Sequence, residues 1–221
     1  MIKAVFLDFY GTIVCEDGEV ISIITERLFE TGTVEHKSDI GSFWWNEFQT
    51  MCKNSFGDKF QTQRALEQQS LIKTIHKFQS TENANELSNL LFEHWVKPPI
   101  FPESKEFFEK CPVPIYIVSN IDREDILGAI HFHDLKPINI FTSEDAKSYK
   151  PRKELFELAL ANTGLEPNQV VHIGDSMSSD IKGASEVGIN TIWVNRSKKE
   201  VPRNIVAVTN LLEVFDSDFF N

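Results

Sequence analysis

Three short apolar runs in this chain each stop at a polar residue, and that pattern restricts the fold more than any other feature. Ala4-Val5-Phe6-Leu7 ends in Asp8, Pro114-Ile115-Tyr116-Ile117-Val118 in Ser119-Asn120, and Val170-Val171-His172-Ile173 in Gly174-Asp175. An apolar run without polar alternation suits a strand covered on both faces, as in a parallel sheet. Asn190-Thr191-Ile192-Trp193-Val194 is a fourth run and Ile138-Asn139-Ile140-Phe141 a weaker fifth. Helical patterns separate them: 122–132 with Asp122 as N-cap, 152–163 stopping at Gly164, and 181–187 stopping at Gly188. Strands alternating with helices predict an α/β fold built on a doubly wound, Rossmann-like parallel sheet.

One stretch breaks the alternation. From Glu16 to Lys97 the pattern reads as helices around 20–32, 39–56, 61–79 and 82–96, with Pro98-Pro99 behind them. The expected organisation is a core domain of 1–15 and 98–221 with an α-helical cap, 16–97, inserted after the first strand. Trp44, Trp45 and Phe48 either pack inside that cap or line a pocket.

Charge and cysteine usage narrow the function classes. The formal net charge is −11, which argues against nucleic acid as a partner, because phosphate backbones need Lys and Arg to displace counterions. It leaves room for an anionic small molecule, since a metal and one lysine can dominate a local site. No apolar run is long enough to span a bilayer, and no small-residue cleavage site follows the N-terminal apolar stretch. Cys15, Cys52 and Cys111 share no metal-like spacing and read as reduced packing residues. His131 and His133 lie near a helix end without a ligand-spaced cluster and read as structural. The expectation is a cytoplasmic protein, monomer or homodimer, with no membrane partner.

In open α/β sheets, ligands sit at the carboxyl ends of the strands, so Asp8, Ser119-Asn120 and Asp175 should converge on one crevice. Lys150-Pro151, at the start of the next helical pattern, is placed to reach it. A strand-end carboxylate is a competent nucleophile for a phosphoryl or alkyl centre. A second carboxylate suits Mg²⁺, a hard cation that takes oxygen ligands. A serine hydroxyl can hold a phosphoryl oxygen, and a lysine can offset developing negative charge.

These segments, in this order, resemble the haloacid dehalogenase superfamily. The first motif stands as Val5-Phe6-Leu7-Asp8-Phe9-Tyr10-Gly11-Thr12, the second as Val118-Ser119-Asn120, and the third as Lys150-Pro151. The fourth is His172-Ile173-Gly174-Asp175-Ser176, with Asp180 following. The resemblance implies Asp8 as nucleophile and metal ligand, with the Tyr10 carbonyl, Asp175 and Asp180 completing a Mg²⁺ site. It also implies catalytic roles for Ser119 and Lys150, and a substrate-binding surface from Tyr10, Gly11, Thr12, Ser119 and Asn120. Asp180 supports either the metal's waters or Lys150.

One position departs from the family's phosphatases, which usually carry a second Asp two residues after the nucleophile. Here it is Tyr10. A tyrosine there is familiar from the family's 2-haloacid dehalogenases, where halide leaves without a proton and no metal is used. Those enzymes usually carry Ser-Ser-Asn where this chain has Gly174-Asp175-Ser176, and they place a cap arginine on the substrate, for which Arg27 and Arg64 offer no recognisable context. The reading is a Mg²⁺-dependent phosphatase of a small soluble phosphoester. The alternatives are a dehalogenase-like hydrolase or a weakly active regulatory relative.

Overall fold

The computed structural model describes residues 1–220. The expected strands are present: β1 (Ala4–Leu7), β2 (Ile115–Ser119), β3 (Asn139–Thr142), β4 (Val170–Gly174) and β5 (Asn190–Val194). A sixth, β6 (Val206–Val208), has no strong apolar run to announce it. All five pairings are parallel and the order is β3-β2-β1-β4-β5-β6. Strands β1, β2 and β3 run outward on one side and β4, β5 and β6 on the other. The order therefore reverses between β1 and β4, and that switch point is where a doubly wound sheet opens a ligand crevice. Every residue of β1 is buried, as is every residue of β4. The core between sheet and helices gathers Phe6, Val118, Phe141, Phe156, Val170 and Ile189.

The chain divides into two compact units. One comprises 1–16, 99–120 and 133–221 and contains the sheet. The other comprises 17–98 together with 121–132. Residues 121–132 were expected from chain order to belong with the sheet, and they group instead with the helical unit.

Four helices build most of that second unit: α1 (Gly18–Thr31), α2 (Lys37–Asn54), α3 (Gln63–Lys77) and α4 (Ala84–Val96). Thr62 and Asn83 cap the amino ends of α3 and α4 through their side chains, satisfying amides that have no partner inside a helix. Ile24, Leu28, Ile40, Trp44, Leu87 and Trp95 are buried. Trp44 thus packs inside, whereas Trp45, beside Phe48, is exposed. The indole N–H of Trp44 donates to Ser70 Oγ at 3.1 Å and that of Trp95 to Asp17 Oδ2 at 3.0 Å. Asp122 accepts from the backbone amides of Gln63 and Arg64 at 2.7 and 2.8 Å, and the Arg64 guanidinium forks onto Asp125. Those bonds bind 121–132 to the start of α3.

Helices also connect the strands. α5 (Ser104–Lys110) precedes β2, and α6 (Arg123–His133), most of which groups with the helical unit, lies between β2 and β3. The four-residue turn α7 (Ser143–Ala146) and α8 (Glu154–Thr163) lie between β3 and β4. Lys150 lies in the turn before α8, not on its first residue. The segment after β4 is a π-helical turn, Met177–Lys182, leading into α9 (Gly183–Glu186). No helix among the described residues is long and apolar enough to cross a membrane.

Candidate active site

β1 delivers Asp8 to the switch point, where its amide donates to Ile173 O of β4 at 2.9 Å. The chain then folds tightly. Ile13 and Val14 amides both donate to Phe9 O, and Gly11 N donates to Val14 O at 2.7 Å. Gly11 sits at φ +83°, and a Cβ there would stand 2.5 Å from Asp175 Oδ2. Both its conformation and its close approach to Asp175 therefore require glycine. The Thr12 hydroxyl lies 3.2 Å from Asp8 Oδ2 and 3.4 Å from Asp175 Oδ1. Its single proton is shared between two carboxylates.

Lys150 is buried with all three ammonium protons assigned. Its Nζ donates to Asp8 Oδ1 at 2.7 Å, to Val118 O at 2.9 Å and to Asp180 Oδ1 at 2.6 Å. Asp180 is taken up in turn. Its Oδ1 also meets His172 Nε2 at 3.0 Å, and its Oδ2 accepts from Ser176 N at 3.0 Å. The wide π-helical turn brings Asp180 back against Gly174, where a Cβ would stand 2.3 Å from Asp180 Cγ. The Gly of Gly174-Asp175 thus makes room for a carboxylate six residues on. Asn120 works in the same framework. Lys150 N donates to its Oδ1 at 2.7 Å and its Nδ2 donates to Lys150 O at 3.2 Å. An amide expected to face substrate instead grips the backbone that presents Lys150.

Asp8, Asp175 and Asp180 form the group that could hold a cation among the described residues, with one oxygen of each within 4.8 Å of the others. His131 and His133 do not join such a group. Electrostatics separate the three carboxylates. Burial raises Asp8 to about 7, with Lys150 opposing and Asp180 reinforcing. Burial, Asp8, Asp180 and Glu16 push Asp175 to about 8. Asp180 feels the same burial, but Lys150 and His172 outweigh it and hold it well below the usual carboxylate range. Burial would also depress Lys150, yet Asp180 and Asp8 hold it above the ordinary lysine value. Burial lowers His172, with Asp180 pulling the other way. Three carboxylates against one ammonium leave an excess of negative charge at Asp8 and Asp175. The donor set is all oxygen, and it fits a hard divalent cation.

Ser119 ends β2, the strand paired with β1, and is buried. Tyr10 packs edge-on against Phe9, ring centroids 5.3 Å apart. A cleft of about 260 Å³ opens beside Asp175, lined by Gly11, Glu16, Trp193 and Arg196 among others. Two of these were missed from the sequence. Trp193 Nε1 donates to Asp175 O at 2.8 Å, and Arg196 reaches the carbonyls of Gly11 and Thr12. The signal for them was available, because the fourth apolar run also ends in polar residues, Asn195-Arg196.

Comparison with known proteins identifies the family and the fold. The family model of haloacid dehalogenase-like hydrolases matches residues 2–188. A phosphoserine phosphatase of Thermus thermophilus is 28% identical over 144 residues, which are 61% of this chain and 57% of that enzyme. The chain therefore spans little more than half of that relative. An (S)-2-haloacid dehalogenase 4A of Burkholderia cepacia is 26% identical over 207 residues, 88% of this chain and 84% of the relative. The crystal structure of the HAD-hydrolase YfnB from Bacillus subtilis, bound to magnesium, shares the fold with a TM-score of 0.77 at 19% identity, covering 97% of both chains. The relatives include phosphatases and dehalogenases alike.

Proposed function

Because this chain belongs to the haloacid dehalogenase-like hydrolases, we propose that it hydrolyses a small anionic phosphoester through a covalent phosphoryl intermediate on Asp8. Asp8, Asp175 and the Tyr10 carbonyl would hold Mg²⁺, with Asp180 acting mainly through Lys150. The observation that carries this reading is the charge imbalance of the site. Asp175 lies beside Asp8 with Thr12 bridging them, and buried Lys150 gives its protons to Asp8, Asp180 and a carbonyl. Two neighbouring carboxylates without a further cation repel each other and take up protons, and a protonated Asp8 is no nucleophile.

Bound Mg²⁺ would supply positive charge that keeps Asp8 ionised and lets it approach an anionic substrate. The residues themselves do the rest. Lys150 orients Asp8 Oδ1 and offsets charge on the transferring group. Asp180, fixed by His172 and Ser176 N, keeps Lys150 protonated and aimed. Asn120 fixes the Lys150 backbone, and the Ser119 hydroxyl donates to a phosphoryl oxygen. An Asp8 oxygen attacks phosphorus, the ester oxygen departs with the alkyl or aryl group, and water then attacks the acyl phosphate and releases phosphate with Asp8 restored.

Tyr10 favours a second reading. It stands where the family's phosphatases place a proton donor, and a phenol is a much weaker acid than a carboxyl group. A metal-free dehalogenase would have no need of that proton. The two arginines within 16–97, however, are already held by carboxylates. Arg27 pairs with Glu82 at 2.5 Å and Arg64 is held by Asp125, while the grouping of 121–132 adds Arg123 to the helical unit. Assaying phosphoesters and 2-haloacids with Mg²⁺ and with EDTA separates the readings. Phosphate release that requires Mg²⁺ supports the phosphatase, and halide release in EDTA overturns it.

A further inference from the structure

We propose that Arg196 is a positioning residue that locks the loop following Asp8, so that the guanidinium, far from Asp8 in sequence, sets the geometry of the reaction centre. The inference rests on that loop being the reaction centre, and it holds for either chemistry.

The loop has two faces. Inward, the Thr12 hydroxyl lies between Asp8 and Asp175, and Gly11 stands against the Asp175 carboxylate. Outward, the carbonyls of Gly11 and Thr12 face Arg196. Its Nε donates to Gly11 O at 3.3 Å and its Nη2 to Thr12 O at 2.8 Å. Nη1 pairs with Glu103 Oε1 at 2.6 Å, and the guanidinium carbon lies 3.5 Å from the centroid of the Phe101 ring. A planar fork with fixed donors can hold two successive carbonyls and a carboxylate at once, stacked on an aromatic face, whereas an ammonium acts as a point charge.

The anchor is itself rigid. Asn195 N donates to Val208 O of β6 at 2.7 Å, and the Asn195 side chain closes a turn with both the N–H and the carbonyl of Lys199. β5 and the turn that follows it therefore hold the site twice, through Trp193 on Asp175 O and through Arg196 on the loop. Both residues lie beyond the 2–188 stretch that matches the family model. A group that fixes the loop acts on orientation, and displacing reacting groups by about 1 Å costs roughly 10²-fold in rate.

The test uses Arg196→Ala and Arg196→Lys in the full chain. Hydrogen exchange without substrate reads the loop directly: exchange of amides in 9–14 should accelerate in Arg196→Ala, while β2 and β3 stay protected. Steady-state hydrolysis of nitrophenyl phosphate with Mg²⁺ should show kcat falling by roughly 10–10²-fold with KM little changed. Arg196→Lys should lie between, and added guanidinium ion, but not urea, should restore part of the loss in Arg196→Ala. If Arg196→Ala does not fold, Arg196→Lys carries both readouts. Wild-type kcat with unchanged exchange of 9–14 would overturn the proposal, as would uniform loosening of the whole sheet unit with no guanidinium rescue. A wild-type protein that hydrolyses no phosphoester would count against the phosphatase reading alone, because the exchange experiment still decides on Arg196.

Discussion

Asp180 in the sheet unit and Glu67 in the helical unit are both buried carboxylates, and they are treated in opposite ways. Asp180 meets Lys150, His172 and the Ser176 amide and is held ionised. Among the described residues, Glu67 has no comparable cation. Burial and Asp17 push it up to about 8, with the Trp44 indole pulling the other way. The sheet unit buries charge with a dedicated partner, at a place where charge serves chemistry. The helical unit buries a carboxyl group that is neutral through most of the physiological range. A buried ion pair is weak evidence for stability in itself, so the Lys150–Asp180 pair is better explained by what it does for Asp8 than by what it adds to the fold.

The largest expected effect comes from removing the charge that the sheet unit has organised. Asp8→Asn should lower turnover by about 10³-fold or more while circular dichroism stays native, since an amide is a far poorer nucleophile. Retention of more than a few per cent of activity would remove Asp8 from the nucleophile's role. Lys150→Met should be costly to the fold as well. It leaves Asp8 and Asp180 buried without their cation, and breaking a buried pair from one side costs about 3–5 kcal/mol. Denaturant unfolding would show it, and a loss no greater than that of an exposed lysine would mean that the site tolerates unpaired charge.

Glu67 should behave in the reverse sense. Its carboxyl is raised from 4.5 to about 8 in the folded chain, so its contribution to stability is fully present below about 4.5 and is lost as pH rises through about 8. Glu67→Gln should therefore leave stability nearly unchanged at about pH 4. At pH 8 it should stabilise the protein relative to wild type, by roughly 2–4 kcal/mol. Unfolding curves at the two pH values measure that difference, and an equal effect at both would show that Glu67 is ionised in the fold.

A finer contrast lies within the site. Asp175→Ala should weaken Mg²⁺ binding more than Asp180→Ala, because Asp180 already spends its oxygens on Lys150, His172 and Ser176 N. Calorimetric titration of both variants decides this, and equal losses would make Asp180 a direct ligand of equal weight. The smallest expected effect concerns Tyr10. Tyr10→Asp should raise hydrolysis of alkyl phosphates more than that of nitrophenyl phosphate, which needs little protonation of its leaving group. Similar changes for both esters would indicate that proton donation comes from elsewhere.

How much of this was legible in the sequence depends on whether a residue acts through its own strand or through a distant one. Asp8 and Asp175 end apolar runs, and that local signature is enough to bring them to one crevice. Lys150 was found through its motif. The short edge strand β6 was not, because a three-residue strand with one buried residue leaves no distinctive run. The motif suggests that Asn120 faces substrate, since nothing local reveals that its amide pairs with a backbone thirty positions away. His172 lay hidden inside an apolar run, where its ring meets Asp180. Residues 121–132 group with the helical unit through Asp122 and Asp125, whose partners at Gln63 and Arg64 lie about sixty positions away. Arg196 is the extreme case, joined to Gly11 and Thr12 across more than 180 residues.

The most direct test is to mix wild-type protein with an aryl phosphate and Mg²⁺, quench in acid within the first turnover, and map the peptide spanning 4–15 by mass spectrometry. A phosphoryl group on Asp8 that forms with Mg²⁺, fails to form in EDTA and is absent in Asp8→Asn is the predicted result. An unmodified Asp8 throughout phosphoester turnover, or an Asp8 alkylated by a 2-haloacid in EDTA with halide released, would contradict it.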